Sequence, residues 1–385
     1  MGMYLYTTDM VLFFIMAVSV AYLFIFAFFS LWGGKKKYPV ASKKHRFVVL
    51  IPAYKEDNVI VESVKSLLNQ EYPQNMLDIV VISDKMKDET NEILTGLPVK
   101  LFLINPDKSS KAYALNYAME MLTGQKYHVA VILDADNVVE PNFISELNDA
   151  FYSGSQAIQA HRTAKNLNND IAILDAISEE INNSIFRKGH VNMGLSSALI
   201  GSGMAFDYTW FCDNVKKLKT AGEDKELELL LFKEGIFIDF LDHLMVYDEK
   251  VQKERAFYNQ RRRWVATQFG SLWVGLKELP GAIFSLKIDY IDKIFQWMLL
   301  PRIILLGMIT IASFFSTFFD WKISIKWWIL LILLIFTFVM AIPDFLVTKR
   351  SIKTIKRIPF LFILMFLNLF RTKGVNKNFI HTNKG

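Results

Sequence analysis

The chain has 385 residues, of which 52% are hydrophobic and 14% aromatic, and this is too apolar for an ordinary soluble domain. Charged residues make up 21%, too many for a bundle of membrane helices alone, so a soluble domain with attached membrane segments is expected. The net charge of +6 arises from Lys and Arg beside apolar runs, which favours membrane topology over nucleic-acid binding, and the single Cys212 excludes an internal disulfide framework and a multi-thiolate zinc site.

The first predicted element is an apolar helix from Met10 to Trp32, within an N-terminal segment of residues 1–33. At about 1.5 Å per residue, it can cross a hydrocarbon core of about 30 Å. The run is too long for a signal peptide and has no basic segment before it. The basic stretch KKKYPVASKKHR follows, so we expect this side to be cytoplasmic and the N-terminus to lie outside.

The next segment, residues 34–285, is predicted to be a cytoplasmic α/β domain. Short apolar runs alternate there with helical patterns, and the runs read RFVVLIPAY, LDIVVISD, VKLFLINP and HVAVILDAD. This alternation predicts a doubly wound, mostly parallel sheet with helices on both faces. Ligands of such sheets bind at the carboxyl ends of the strands.

Apolar sequence returns in residues 286–371, the predicted C-terminal membrane region. Two runs are long enough to span, Ile294 to Phe319 and Lys326 to Val347, and the basic TKRSIKTIKR that follows predicts a return to the cytoplasm. The run Ile358–Phe370 would be roughly 20 Å long as a helix, so we expect an interfacial or re-entrant helix, with a fourth span as the alternative. Residues 372–385 form a basic tail.

Carboxylates follow the predicted strands. Asp134 and Asp136 lie two residues apart at one strand exit, where they could share Mg²⁺ or Mn²⁺ and so allow an acidic site to hold a diphosphate. The alternative for this Asp-x-Asp is a helix cap. Lys111 begins a helical pattern and is either a solvated lysine or a phosphate contact.

Asp224 lies in the stretch Gly222-Glu223-Asp224 before a leucine-rich helix. It could be an N-cap, or it could be a general base whose proton affinity is raised by Glu223 and Glu226.

A third element, QRRRW, spans residues 260–264. A basic segment that fixes the orientation of the chain in a membrane would contain the three arginines, but it would not require Gln260 or Trp264. Arginine binds phosphate oxygens, tryptophan stacks on sugar rings, and the rest of the domain shows no basic-aromatic spread of the kind that single-stranded nucleic acid needs. The element therefore favours a nucleotide diphosphate with an attached carbohydrate.

These motifs together resemble the membrane-embedded family 2 glycosyltransferases, the group that holds cellulose, chitin and hyaluronan synthases. The matching stretches occur in the family's order over roughly residues 46–270: IPAYKE, VISDKMKDET, SKAYALN, LDADN, GSGMAF, GED and QRRRW. The resemblance implies a GT-A-like fold with flanking transmembrane and interfacial helices. Where the family tends to have a small Gly- and Ser-rich turn, this chain has Lys85-Met86-Lys87, a departure that concerns base recognition.

The resemblance also implies roles for individual residues. Ala53, Tyr54, Glu56 and Asp84 would hold the uridine, Lys111 and Arg263 would contact the nucleotide or its diphosphate, and Asp134 and Asp136 would hold ribose, metal and diphosphate. Ser202, Gly203, Gln260 and Trp264 would contact the acceptor, and Asp224 would be the catalytic base.

The activity implied is inverting transfer from a UDP-sugar, catalysed at the cell membrane by a cytoplasmic domain. We favour a growing polysaccharide as the acceptor, and a channel for it would require a partner subunit or a homo-oligomer. Transfer of one sugar to a membrane lipid, as in ceramide glucosyltransferases with a similar element, is the alternative. A non-catalytic scaffold is disfavoured because Asp134, Asp136 and Asp224 are all present, and a nucleic-acid partner is not expected.

Overall fold

The computed structural model describes residues 2–33, 38–220 and 222–370. The predicted basic tail of residues 372–385 lies outside these ranges, as does part of the basic stretch that follows the first helix. Eight strands form one sheet: β1 Phe47–Tyr54, β2 Leu77–Asp84, β3 Lys100–Ile104, β4 Val129–Ile132, β5 Val138–Val139, β6 Ala157–Ala164, β7 Met204–Asp207 and β8 Ile238–Asp248.

The strand order in the sheet is β3-β2-β1-β4-β7-β6-β8-β5. The first four strands in this order are parallel, as the sequence predicts, and β6 and β8 are also parallel to each other. Strand β7 is antiparallel to both β4 and β6, and β5 is antiparallel to β8. The sheet is therefore mixed, and its parallel half carries the first three predicted strand exits.

The helices surround this sheet and extend from one side of it. Their bounds are α1 Gly2–Ser30, α2 Ile60–Leu68, α3 Asp88–Thr95, α4 Lys111–Met121, α5 Phe143–Tyr152, α6 Asp170–Asn183, α7 His190–Asn192, α8 Tyr208–Val215, α9 Glu223–Glu234, α10 Glu254–Leu276, α11 Leu279–Phe284, α12 Ile288–Met298, α13 Arg302–Phe319, α14 Trp321–Ala341, α15 Lys349–Thr354 and α16 Ile358–Phe370. A π-helical segment, Ser184–Gly189, joins α6 to α7.

Each face of the sheet has its own hydrophobic core, because successive residues of a strand point to opposite faces. Leu50 of β1 lies in one core with Leu115 of α4, while its neighbour Val49 lies in the other core with Val64 of α2. All four of these side chains are completely buried. The continuous apolar sequence of β1 thus follows from burial on both faces.

Three helices of the described residues are long and apolar enough to cross a membrane: Tyr6–Ser30 within α1, then α13 and α14. The predicted run from Ile294 to Phe319 is not one helix, because the chain is extended at Leu299 and Pro301 precedes α13. A proline disfavours a helical conformation in the residue before it, so the apolar helix α13 begins only at Arg302. Helix α14 likewise begins at Trp321, ahead of the predicted Lys326.

The short run Ile358–Phe370 is helical throughout and packs against α13. Contact between the two helices is close at Gly307, where an added Cβ would lie 2.2 Å from the ring of Phe362. Whether this helix lies at the interface or spans a bilayer stays a prediction, as do the predicted domain boundaries.

The first helix is attached to the rest of the molecule at two points. Leu23 of α1 packs in a core with Leu334 of α14, and Asp9 accepts a hydrogen bond of 2.8 Å from the indole of Trp327. At the other end, an added Cβ on Gly189 would lie 2.1 Å from the carbonyl oxygen of Phe26. The absence of a side chain at Gly189 therefore allows α1 to lie against the α/β domain.

Candidate active site

A cavity of about 600 Å³ opens at the carboxyl ends of β1, β2 and β4. It is lined by most of the residues that the sequence singles out, namely Ala53, Tyr54, Glu56, Asp84, Lys111, Asp134, Asp136, Asp224, Gln260, Arg263 and Trp264. Ser202 and Gly203 are not among its lining residues. The fold thus brings together residues that are up to about two hundred positions apart in the chain.

One end of the cavity is formed by the last residues of β1 and β2. The two strands pair in register so that Tyr54 lies opposite Asp84, and both strands end there. Asp84 is buried, and its Oδ1 has no hydrogen-bond partner among the described residues. Burial raises the pKa of Asp84, against the opposing effects of the nearby Ser109 hydroxyl and the positive charges of Lys85 and Lys55. This oxygen is available to accept a hydrogen bond from a ligand.

Three carboxylates converge beside this end. Asp134 and Asp136 follow β4, Asp248 ends β8, and one ligand oxygen from each lies within 4.8 Å of the others. Three carboxylate oxygens at this separation are a donor set that suits Mg²⁺ or Mn²⁺. The residues present therefore fit the predicted divalent cation, and the structure adds Asp248 to the two predicted ligands.

Asp248 is held by a buried network of ion pairs that the sequence analysis does not identify. Lys250 Nζ lies 2.8 Å from Asp248 Oδ2 and also pairs with Glu179. Arg162 donates to the same Glu179 over 2.6 Å. Burial alone would raise the pKa of Glu179, but Arg162 and Lys250 outweigh it and lower that pKa to about 2.

Lys111 connects the carboxylate cluster to the candidate base. Its Nζ donates to Asp134 Oδ1 at 2.5 Å and to the carbonyl oxygen of Gly201 at 2.6 Å, and lies 3.7 Å from Glu223 Oε1. Burial would lower the pKa of Lys111, but the charges of Asp134 and Glu223 outweigh burial and raise it. The ammonium is therefore a fixed positive charge in the cavity wall. Burial, together with the charge of Asp224, raises the pKa of Glu223 to about 7.

Asp224 lies in the first turn of α9, and Gly222, not Asp224, occupies the N-cap position. Its carboxylate accepts a hydrogen bond from the backbone of Lys225 and faces the cavity. The carboxylate of Glu226 accepts from the backbone amides of Lys219 and Thr220, so it stabilises the preceding loop. Of the two glutamates expected beside Asp224, Glu223 lies next to it in the cavity wall and Glu226 does not.

The QRRRW element lies on α10, where four of its five residues line the cavity. Gln260 Oε1 is buried and has no hydrogen-bond partner among the described residues. Arg261 forms an ion pair with Asp175, and its guanidinium lies 4.5 Å from the ring centre of Trp264. This contact fixes the orientation of the tryptophan, leaving Arg263 as a further cation of the element in the cavity.

Ser202 and Gly203 lie behind the carboxylate cluster. The hydroxyl of Ser202 accepts a hydrogen bond of 2.9 Å from the backbone N–H of Asp134, and Ser202 is completely buried. Gly203 has a φ of +65°, and an added Cβ would lie 3.1 Å from Val246. In this structure Ser202 supports the strand exit, and its contact with an acceptor stays a prediction, as it does for Gly203.

Asp248 could have been found from the sequence. The run IFIDFLDHLMVYDEK is an apolar strand that ends in acidic residues, the same pattern that marks Asp84 and Asp134. The lysine and arginine partners of the buried network carry no such signal, because their pairing depends on residues distant in the chain.

The mixed sheet, the nucleotide-sized cavity and the carboxylate cluster define a GT-A-like transferase. Residues 45–267, more than half of the chain, match the family model described as "Glycosyltransferase like family 2". The chain belongs to this family.

The fold is also that of a solved mannosyltransferase, PcManGT from Pyrobaculum calidifontis, in complex with GDP-Man and Mn²⁺. The two chains superpose with a TM-score of 0.51 at 14% identity, covering 85% of this chain and 96% of the other. The chain is also similar to a probable glycosyltransferase of Bacillus subtilis, YdaM, with 23% identity over 375 residues, 89% of this chain and 86% of that protein.

A further relative is the beta-monoglucosyldiacylglycerol synthase of Nostoc sp., with 25% identity over 228 residues. This match covers 56% of the present chain and 47% of the relative, so the chain spans about half the length of that protein.

Proposed function

We propose that the protein transfers a single sugar from a UDP-sugar to a lipid acceptor, with inversion at the anomeric carbon. The observation that carries the proposal is the composition of the cavity: the carboxylate cluster and Asp224 share it with apolar residues of α13, α14 and α16, among them Leu306, Phe338 and Met365. A lipid would reach the sugar from the helices that are long and apolar enough to lie in a membrane.

The donor end of the cavity suits a uridine diphosphate. Asp84 Oδ1 is a buried acceptor without a partner among the described residues, and the N–H of a pyrimidine base would satisfy it. Ala53, Tyr54 and Glu56 form the adjoining wall. Lys111 supplies a fixed positive charge beside Asp134, and Arg263 would contact the diphosphate from α10.

Asp134, Asp136 and Asp248 would hold the Mg²⁺ or Mn²⁺ ion. When bound, this ion neutralises the diphosphate that leaves the sugar. The remaining chemistry belongs to the chain: Asp224 accepts the proton of the attacking hydroxyl, whose oxygen forms a bond to the anomeric carbon as the bond to the diphosphate breaks. A single displacement converts an α-linked donor to a β-linked product.

Lipid glycosylation is the alternative that the sequence analysis leaves open, and the cavity lining supports it over polysaccharide synthesis. The wall opposite the carboxylates includes apolar residues of α13, α14 and α16, which suit a hydrocarbon chain better than a growing polysaccharide. Polysaccharide synthesis is the second candidate, because Gln260 and Trp264 line the cavity and provide the amide and aromatic face that bind sugars. The similarity to beta-monoglucosyldiacylglycerol synthase also favours a lipid.

Association with the cell membrane, with a cytoplasmic active site and an external N-terminus, is part of the proposal. Three apolar helices support it, as does the basic stretch after α14. For a lipid acceptor one chain is sufficient, so the proposal needs no partner subunit.

The proposal is tested by incubating membranes that contain the protein with radiolabelled UDP-sugars and, separately, with labelled GDP-mannose. The products are separated by thin-layer chromatography and by gel filtration. We expect one new chloroform-soluble band that requires a UDP-sugar and disappears with EDTA. A ladder of water-soluble products would show polysaccharide synthesis instead, and transfer from GDP-mannose alone would contradict the donor assignment.

A further inference from the structure

Three arginines line the part of the cavity that is nearest to the apolar helices. Arg187 comes from the π-helical segment, Arg261 from α10 and Arg302 from the first turn of α13. The side chains of Arg261 and Arg302 share the hydroxyl of Ser178, at 3.4 and 3.1 Å. Arg187 contacts Asn183, which lies on α6 as Ser178 does. Together these three arginines form the arginine cluster.

The cluster has fewer negative charges than positive ones. Asp175 pairs with Arg261, but within the described part of the chain Arg187 donates to neutral groups, the side-chain oxygen of Asn183 at 2.6 Å and the carbonyl oxygen of Ala198 at 3.2 Å. Arg302 donates to the carbonyl of Ser178 at 2.8 Å, while its Nη1 is buried without a partner among the described residues. Among the described residues, neither Arg187 nor Arg302 thus forms an ion pair, although Glu179, Glu228 and Glu180 contribute negative charge near Arg187.

Five cations of the cavity wall outside the cluster each lie within 4 Å of a carboxylate: Lys111, Arg162, Lys225, Lys250 and Lys293. Arg187 is only 2% exposed, and burial lowers its pKa to about 10 despite the negative charge of Glu179. A buried guanidinium nitrogen without a partner is costly, so Arg302 Nη1, which has none among the described residues, indicates that a ligand supplies an anion here.

The surroundings of the cluster indicate what kind of ligand carries this anion. Arg302 is followed in α13 by Ile303, and the cavity wall continues with Leu306, Phe338 and Leu361. A cation at the end of a helix of this kind is positioned to meet an anion at the boundary between polar and apolar regions. The ligand therefore combines an anionic group with an apolar chain.

We propose that Arg187 and Arg302 bind the phosphate of a lipid acceptor, whose hydrocarbon chains lie among α13, α14 and α16. This rests on the proposed lipid acceptor and narrows it to lipids with a phosphate in the head group, as opposed to neutral diacylglycerols. Guanidinium groups suit this role because their planar forks bind phosphate oxygens in pairs. The donor diphosphate would occupy the carboxylate end, where a metal ion and Lys111 balance its charge.

The experiment measures lipid binding directly, so that it does not depend on turnover. The full chain in neutral detergent is titrated with two fluorescent lipids that have the same acyl chains, phosphatidic acid and diacylglycerol. We expect phosphatidic acid to bind at least about tenfold more tightly, since it alone carries the charged hydrogen-bonding group. Arg302→Gln, which keeps a donor for Ser178 but loses the charge, should remove most of this difference.

Two controls accompany the variant. Lys356→Gln removes one charge from an exposed position just before α16 and should leave the preference intact. Binding of UDP in the presence of Mn²⁺ should be unchanged in Arg302→Gln, which shows that the variant is folded and that the donor end does not depend on Arg302. Failure of wild-type UDP binding would contradict the proposed function without affecting the lipid measurement.

Two results would overturn the phosphate proposal. One is equal binding of the two lipids. The other is an equal loss of preference in Lys356→Gln and Arg302→Gln, which would show only attraction to a basic surface. If inorganic phosphate at millimolar concentration lowers UDP binding in the wild type but not in Arg302→Gln, the cluster is part of the donor site, and this too overturns the proposal.

Discussion

At the scale of single residues, the carboxylate of Asp248 is the additional candidate metal ligand that the structure identifies. Asp248 completes the three-carboxylate cluster. Lys250, which follows it closely in the chain, forms an ion pair of 2.8 Å with its carboxylate and so fixes its position. Asn at this position keeps the shape but removes a charged oxygen ligand. We therefore expect Asp248→Asn to weaken activation by Mn²⁺ and to lower sugar transfer by about 10²-fold, in the range of other changes to groups that stabilise developing charge.

The measurement is transfer rate against Mn²⁺ concentration, with Glu249→Gln as the matched control. Glu249 is the neighbouring carboxylate in the chain and does not line the cavity. Equal Mn²⁺ dependence in wild type and Asp248→Asn would exclude Asp248 as a ligand.

Much of the site is predictable at the residue scale, because most of its residues sit at strand exits or in one short motif. Arg187 is different, since its importance comes from its burial and from the neutral groups that it contacts, Asn183 and the carbonyl of Ala198, and no sequence pattern encodes such contacts. Lys85 begins the stretch where the sequence departs from the small turn that the resemblance implies, and its φ is +54°, in the left-handed region where glycine is preferred.

At the scale of elements, the contact between α9 and α10 positions the candidate base. An added Cβ on Gly222 would lie 2.1 Å from Cγ2 of Thr267, so a larger residue must displace the first turn of α9 and Asp224 with it. We expect Gly222→Ala to lower transfer by about 10²-fold, because a displacement of about 1 Å at a reacting group has costs of this size.

A second substitution tests whether contact with the Thr267 methyl group causes the loss of sugar transfer in Gly222→Ala. Thr267→Ser removes the methyl group in question and keeps the hydroxyl that donates to the carbonyl of Arg263. The double variant Gly222→Ala with Thr267→Ser should recover most of the activity, whereas Gly281→Ala, which has open space around it, should be close to wild type. No recovery in the double variant would mean that this contact is not the cause.

His161 joins three elements and makes the stability of the fold depend on pH. It lies on β6, and its ring nitrogens contact Glu180 of α6 at 2.9 Å and Asp242 of β8 at 3.1 Å. Burial would lower the pKa of His161, but the two carboxylates outweigh burial and raise it to about 10. Burial would likewise raise the pKa of Asp242, and His161 with Lys188 lowers it to about 2.

The directions of these two pKa shifts define the pH range over which the ion pairs of His161 stabilise the fold. The raised pKa of His161 contributes stability that is complete below about 6.5 and is lost as pH rises through about 10. The lowered pKa of Asp242 contributes stability above about 3.9 that is lost as pH falls through about 2. We expect His161→Gln to cost about 3 kcal/mol at pH 6 and much less at pH 10, measured by denaturant unfolding. A loss that does not change with pH would contradict a charged His161.

The elements themselves show where sequence patterns stop being informative. The four parallel strands are predictable because each is an apolar run with a polar end. Strand β7 has only four residues, and its antiparallel pairing with β4 depends on the path of the chain through α6 and the π-helical segment. Pro301 indicates that the helix is interrupted before α13. The sequence is apolar on both sides of this proline, so the run resembles one continuous span.

At the scale of the whole molecule, the α/β domain and the apolar helices share one cavity. The carboxylate end belongs to the sheet, while the opposite wall belongs to α13, α14 and α16. Composition predicts both parts, since a chain that is 52% hydrophobic and 21% charged needs both. It does not predict that they meet, because that depends on how α10 packs between them.

We propose that Asp224, which lines this shared cavity, is the base of the sugar transfer. The direct test compares wild type and Asp224→Asn in lipid nanodiscs, with UDP binding and sugar transfer measured on the same samples. Asn keeps the size of the side chain but cannot accept the proton. We predict unchanged Mn²⁺-dependent UDP binding and a loss of transfer by about 10²- to 10⁴-fold. Near wild-type transfer by Asp224→Asn would contradict the claim.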